Sequence, residues 1–362
     1  MDIKGVVYVP EDGTHGWQRE GPGVHTVANR PLTGIILQEL ADAGVDSLAV
    51  VAPSDRLEEL RACLAADAAR GLDVSFVDLA SPHGLAGALN AVTAFVGDDA
   101  VIVHLATGLL GQSCEPLVAD AAEQGEDLRL LLHRSREGGG SLSATTTRLL
   151  GVGELGSPAG RLSLAGLAVF SPGAFARAAH SPVCSRAHTE HATGAEPTHE
   201  LITIADELAA EGLTIGAGIV TGWCEYSADP RALLELNRAV LDRQAMSVHH
   251  HAAAAGNRIE GRVVIHETAE VSASVILGPS LIGPGARIAD AYIGPYTTIG
   301  AGAVIENCEI LRSIIGPGAR ITHVAGRIEG STIGRDANIF RDFRLPRAMR
   351  LHVGEGVEVA FN

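Results

Sequence analysis

The sequence predicts a doubly wound, mostly parallel α/β sheet followed by a solenoid of hexapeptide repeats. Two patterns carry this. From residue 1 to about 245, short apolar runs bounded by turn residues alternate with stretches whose apolar positions recur at helical spacing. After the linker, isoleucines recur at Ile265, Ile282, Ile299, Ile315 and Ile333, at spacings of 17, 17, 16 and 18, with further apolar positions about every five or six residues between them. The expected division is an α/β domain at 1–245, a linker at 246–257, the solenoid at 258–342 and a C-terminal tail at 343–362.

Gly5–Val9 is the first strand, followed by a polar, glycine-bearing loop, Pro10–Gly23. Leu32–Gly44 sets Ile35, Ile36 and Leu40 at helical spacing, and Ser47–Val51 is a short buried strand. Asp55–Arg70 reads as helix, Val74–Val77 as strand, Leu85–Phe95 as helix and Ala100–Leu105 as another buried strand. In such a sheet ligands bind beyond the carboxyl ends of the strands, so chemistry is expected in the loops after Val9 and Leu105. Ala232–Arg243 is the last helix before Ser247–Gly256, whose three adjacent histidines, His249–His251, suggest metal but would face different ways on a helix or a strand, so the stretch is read as an incidental linker. In the solenoid, Ile-Gly pairs at Ile282-Gly283, Ile293-Gly294, Ile299-Gly300, Ile315-Gly316 and Ile333-Gly334 mark corners where glycine is expected to answer to backbone geometry.

Composition narrows the function. The 362 residues carry 43 acids against 27 bases, a net charge of −16, and Lys4 is the single lysine. That acidity argues against nucleic acid or an anionic membrane as the main partner, since both require a basic face. No apolar run approaches the ~20 residues of a membrane span, and Met1–Tyr8 opens directly as a strand rather than as a signal peptide. Cys63, Cys114, Cys184, Cys224 and Cys308 never fall in C-x-x-C spacing and are expected as thiols in a reducing cytoplasm.

Several stretches together resemble one family, the long-form glucose-1-phosphate thymidylyltransferases. Val27-Ala28-Asn29-Arg30-Pro31-Leu32, leading into Leu40-Ala41-Asp42-Ala43-Gly44, resembles that family's V-A-N-K-P-x and A-x-A-G-I pieces. Pro82-His83-Gly84-Leu85-Ala86-Gly87-Ala88 resembles its P-x-G-L-A-x-A loop, and Gly222-Trp223 followed by Leu233-Leu234-Glu235-Leu236-Asn237-Arg238 resembles its G-W-x-x-D-T-G…L-L-E-A-N-R segment. Glu260–Ile265 and Ile293–Gly300 are similar to its left-handed β-helix tail. The resemblance covers almost the whole chain and implies a nucleotidyltransferase-like sheet with a C-terminal left-handed β-helix. The implied chemistry is attack of a sugar-1-phosphate oxygen on the α-phosphorus of a nucleoside triphosphate, which needs backbone N–H donors, cations and Mg²⁺.

The motifs that would supply these parts are degenerate. Where the family has G-G-x-G-T-R-L, this chain has Val9-Pro10-Glu11-Asp12-Gly13-Thr14-His15-Gly16-Trp17, with a proline and two carboxylates at the phosphate loop. The lysine of K-x-L-x-P-V aligns near Pro22, and that of E-K-P near Glu154-Leu155-Gly156, so Arg161 is the nearest cation there. The metal-binding aspartate of L-G-D-N falls at Thr107, and that of G-W-x-x-D-T-G at Tyr226, with Glu225 one residue away. Lys4, preceding the first strand, is expected at the edge of the sheet opposite the site.

Candidate site residues follow. His15, His104, Cys224 and Glu225 are the catalytic candidates, because histidine, cysteine and glutamate gathered at one strand end make a nucleophile–base pair or a metal site. The simpler reading makes His104 a core strand residue and leaves His15, His25 and His83 exposed. Gly13, Pro82, Gly84, Leu85, Arg161 and Glu200, the last within a stretch resembling E-L-x-I-T-D, are the ligand-binding candidates. His188 and His191 could share a helical face as a metal pair, but their Ser, Thr, Gly and Pro surroundings read as an insertion. No metal and no cofactor is expected. The expected function is a repurposed family member that has lost the metal-dependent nucleotidyl transfer and binds a nucleotide, sugar or other metabolite or runs a different reaction in the same cleft. The alternatives are an active enzyme using Arg19, Arg30 and Arg161 in place of lysines, and a structural or regulatory partner of an active paralogue. The expected partner is a small molecule rather than nucleic acid or membrane, and the solenoid suggests a homo-oligomer.

Overall fold

The computed structural model describes residues 3–10, 25–67, 72–79, 84–110, 113, 116, 125–135, 161–181, 197–226, 229–243 and 256–341. The chain divides into two compact units: Pro31–Tyr226 falls in the first, together with the opening strand, and Thr26–Arg30 falls in the second with the residues from Ser227 onward.

The opening strand is β1 (Ile3–Tyr8). Two-residue strands β2 (Thr26–Val27) and β3 (Arg30–Pro31) flank Ala28 and Asn29, whose φ of 48° and 61° are those of a tight hairpin turn. Helix α1 (Leu32–Asp42), strand β4 (Ser47–Pro53), helix α2 (Ser54–Asp67) and strand β5 (Val74–Leu79) follow as the alternation predicts. The helix expected over 85–95 is two pieces, α3 (Gly84–Ala91) and α4 (Thr93–Val96). The break falls at β-branched Val92 and Thr93, where the Thr93 hydroxyl donates to the Asn90 carbonyl at 2.7 Å. Strands β6 (Ala100–His104), β7 (Gly108–Leu109), β8 (Leu128–Ser135) and β9 (Arg161–Phe170), helices α5 (Pro172–Ala178) and α6 (Pro197–Ala210), and strands β10 (Ile215–Ile219) and β11 (Cys224–Glu225) complete the first unit, while the β2 turn belongs to the second.

Its main sheet has the order β10-β8-β9-β6-β1-β4-β5. Only β9 runs antiparallel to its neighbours among these strands, so the sheet is mostly parallel, as expected. Both faces are covered. Val6, Tyr8, Val101 and Val103 point to a core with Leu85, Phe175 and Leu201 from α3, α5 and α6, while α1 packs on β1 and α2 on β4 and β5. Lys4 lies inside β1 rather than before it, a correction to the sequence reading. Its Nζ donates to Phe95 O at 2.7 Å and Val96 O at 3.1 Å and pairs with Asp99 at 3.0 Å, so the single lysine closes the carboxyl end of α4 at the sheet's amino edge.

In the second unit, α7 (Pro230–Arg243) precedes three five-stranded parallel sheets that form a left-handed β-helix. The uneven spacings of the sequence are register partners: Ile265, Ile282, Ile299, Ile315 and Ile333 pair in one ladder, and Val271, Ile288, Ile305, Ile321 and Ile339 in another. The corner glycines require a correction. Gly283, Gly300 and Gly316 do not take left-handed backbone; they are small because the next coil is close, with a Cβ on Gly300 falling 2.5 Å from Pro317 N and one on Gly316 2.7 Å from Arg335 N. Left-handed φ belongs to the neighbouring Gly285, Gly302 and Gly318, and to Asp336 one coil later.

Within this unit the V-A-N stretch has a structural job. Asn237 Oδ1 accepts from Ala28 N at 3.1 Å and from Thr298 Oγ1 at 2.8 Å, and Asn29 Nδ2 donates to Ile299 O at 2.8 Å.

Candidate functional site

Two groups of predicted site residues meet in the first unit. In one, Glu200 on α6 accepts from the backbone N–H groups of Leu85 and Ala86 at the start of α3. Gly84, with φ of 59°, leaves the room, because a Cβ there would strike the Glu200 carboxyl. Burial raises the Glu200 pKa, and the two N–H donors oppose the shift. Gly84, Leu85 and Glu200 are thus brought together as expected, with the carboxylate closing a helix of this protein. Pro82 and His83 lie outside the described residues, as do Gly13 and His15. Arg161 opens β9 opposite Ser135, and its side chain is not among those described.

The other group lies beyond the carboxyl end of β6. Strand β7 pairs antiparallel with β11, Gly108 against Glu225 and Leu109 against Cys224. Tyr226 N donates to Thr107 O at 2.7 Å, which sets side by side the two positions where the family pattern has aspartates. Ala106, where the pattern has glycine, takes a left-handed φ of 52°, and its N–H donates to His104 Nδ1 at 3.0 Å. That bond places the His104 proton on Nε2.

His104 is a core residue, 1 % exposed, and burial lowers its pKa to about 3. It is therefore a neutral imidazole, as the simpler sequence reading held. His25 departs from that reading. It is 6 % exposed, burial lowers its pKa to about 4, and its Nδ1 is hydrogen-bonded to the Tyr226 hydroxyl. Burial also raises the Tyr226 pKa, so the phenol keeps its proton and donates to His25. Cys224 is half-buried and free of any disulfide, and Glu225 is exposed. Residue alternation along β11 sends these two side chains to opposite faces, so they make no pair with each other.

Sequence reasoning missed the packing around Trp223. Its ring lies 6.0 Å from that of His104 and 6.1 Å from that of His133, centroid to centroid. Two glycines make the space: a Cβ on Gly108 would sit 2.6 Å from Trp223 Cζ2, and one on Gly166 would strike Thr107 Oγ1 and meet Trp223 Cη2 at 3.5 Å. Gly166 has φ of 57° and lies where β9 breaks register with β8. Thr107 Oγ1 and His104 Nε2 are buried without a hydrogen-bond partner among the described residues. The G-W pair was the one signal in the sequence that pointed here.

Thr107 and Tyr226 do not fit Mg²⁺. That ion binds through carboxylates and phosphates, and these positions offer a neutral hydroxyl and a phenol engaged with a neutral imidazole. Among the described residues no cluster of three His, Cys, Asp or Glu side chains is placed to hold a metal ion.

The mixed sheet, the site at its carboxyl end and the appended left-handed β-helix together define the sugar-phosphate nucleotidyltransferase class. No family model matches the chain. It is 30 % identical over 343 residues to a glucose-1-phosphate thymidylyltransferase of Streptomyces antibioticus, covering 92 % of this chain and 91 % of that one. It is 29 % identical to the enzyme of the same name from Streptomyces griseus, covering 91 % and 90 %, and 27 % identical to the low-salt glycan biosynthesis nucleotidyltransferase Agl11 of Haloferax volcanii, covering 92 % of each. A solved structure from Bacillus anthracis, described as a glucose-1-phosphate thymidylyltransferase in complex with a sucrose, matches with a TM-score of 0.52 at 14 % identity over 68 % of this chain and 98 % of that one. The chain belongs to the glucose-1-phosphate thymidylyltransferase family.

Proposed function

We propose that this protein binds a sugar- or nucleotide-type metabolite at the carboxyl end of its sheet and does not carry out metal-dependent nucleotidyl transfer. The observation that supports this is the pair Thr107 and Tyr226. The backbone holds them side by side at the two metal positions of the family pattern, and neither presents a carboxylate. Loss of one charge-stabilising group of this kind costs about 3 kcal/mol in a barrier, and several together cost more without being additive. The single lysine is committed to α4 and Asp99, so it is not a substitute phosphate ligand. Cys63, Cys224 and Cys308 are thiols rather than disulfides, which agrees with a cytoplasmic protein, and the solenoid's parallel sheets suit assembly of like copies.

The test is incubation with glucose 1-phosphate, dTTP and Mg²⁺, with pyrophosphate release as the readout and calorimetric titration of each compound alongside. Binding of either compound with no pyrophosphate above the no-enzyme rate is the expected result. Robust turnover that Glu225→Ala abolishes would overturn the reading.

A further inference from the structure

The buried polar atoms beside Trp223 are not used by anything described so far. His104 Nε2–H and Thr107 Oγ1 have no hydrogen-bond partner among the described residues, and leaving such groups unpaired costs about 1–3 kcal/mol each. The His104 ring lies 6.0 Å from the indole of Trp223, centroid to centroid, and a Cβ on Gly166 would meet both Thr107 Oγ1 and the indole, which stands in the space left by the missing side chains of Gly108 and Gly166. Trp223 is half-buried and follows Thr221 and Gly222, both exposed, with Gly222 at φ of 72°. The chain is pinned on either side of this short segment: Val220 N donates to Leu132 O at 2.7 Å, and Cys224 pairs with Leu109.

We propose that Trp223 is a gate over a hydrogen-bonding subsite made by His104 Nε2–H and Thr107 Oγ1, and that this subsite takes an uncharged oxygen of the ligand, a hydroxyl or a carbonyl. The class follows from the donors. His104 offers one neutral N–H, and Thr107 a hydroxyl that donates or accepts, so a neutral oxygen satisfies both without a counter-charge. Gating resolves the conflict between two unpaired buried groups and an indole that offers them no acceptor oxygen. This proposal rests on the binding reading above and adds the part of the ligand that the former metal positions recognise.

The experiment uses the full chain in EDTA with glucose 1-phosphate and, separately, dTTP as probes, with binding followed by calorimetry. Trp17→Phe leaves Trp223 as the single indole, since the sequence has two tryptophans. Saturation with a bound probe is expected to move Trp223 emission to longer wavelength and to increase its quenching by acrylamide. In the unsubstituted chain labelled with ¹⁵N-histidine, the His104 Nε2–H resonance is expected to move downfield, which keeps the test independent of the Trp17 variant. Thr107→Val and His104→Phe are each expected to weaken binding about tenfold. Calorimetric binding with Trp223 emission and the His104 resonance both unmoved would overturn the gate and leave the binding reading standing. No heat with either probe would overturn both.

Discussion

Lowering the pH from 7 to 5 protonates an ordinary histidine, but His25 and His104 are held by burial at about 4 and about 3 against an ordinary value of 6.5. Between those values the unfolded chain binds protons that the folded chain refuses, so stability falls as the pH falls. The contribution is fully present above about 6.5 and is lost progressively toward the folded-state values. At pH 5 each histidine costs about 2 kcal/mol, so the two together remove about 4 kcal/mol from a stability that for ordinary domains is about 5–15 kcal/mol. His133, also lowered by burial, acts in the same direction, while Glu200, raised by burial, acts in the opposite one. The assay is urea unfolding at both pH values, followed by circular dichroism, for the parent chain and for His104→Phe. The variant loses the Nδ1 acceptor for Ala106 N at both pH values, so only the difference between them is diagnostic. His104→Phe is expected to recover about 2 kcal/mol of the acid loss. An acid loss identical to the parent's would refute the claim that His104 stays neutral in the fold.

Ala106→Gly relieves the left-handed backbone at φ of 52° and is expected to stabilise the first unit by about 1 kcal/mol, read as a raised urea midpoint at unchanged slope. Gly300→Ala drives a Cβ to within 2.5 Å of Pro317 N and is expected to cost about 1–3 kcal/mol, whereas Gly334→Ala, with nothing within 4 Å, is expected to change stability by less than about 0.5 kcal/mol; thermal unfolding compares the two. Lys4→Met removes the charge that closes α4 and is expected to cost about 1–2 kcal/mol while leaving calorimetric ligand binding unchanged, so a loss of binding would place the lysine in the site after all.

The solenoid was legible because each coil must repeat the same inward position. Even the irregular steps of 16 and 18 residues map onto ladder partners, Ile299 with Ile315 and Ile315 with Ile333. The reason for its glycines was not legible, since crowding by the coil above looks the same in sequence as a demand for left-handed backbone. The same limit applied at the site. His25 sits in a polar stretch and reads as exposed, yet its burial depends on Tyr226, 201 residues later. The seat of Trp223 depends on glycines at 108 and 166, which belong to different strands, and no local period connects them. Thr107 and Tyr226 were identified through resemblance, and the backbone bond between them is what gives that pairing a physical basis.

That bond also bears on what the site is for. A left-handed alanine costs about 1–2 kcal/mol, and such strain persists only where the surroundings over-determine it. Here they do: Ala106 N is bound to a buried imidazole, Thr107 O is bound to Tyr226 N, and Leu105 N donates to Gly166 O at 2.8 Å. The turn that presents residue 107 is therefore rigid on three sides, while the side chains it presents, Thr107 and Tyr226, are neutral. A rigid frame with neutral groups selects by hydrogen-bond geometry, since charge is what these positions lack and placement is what they keep.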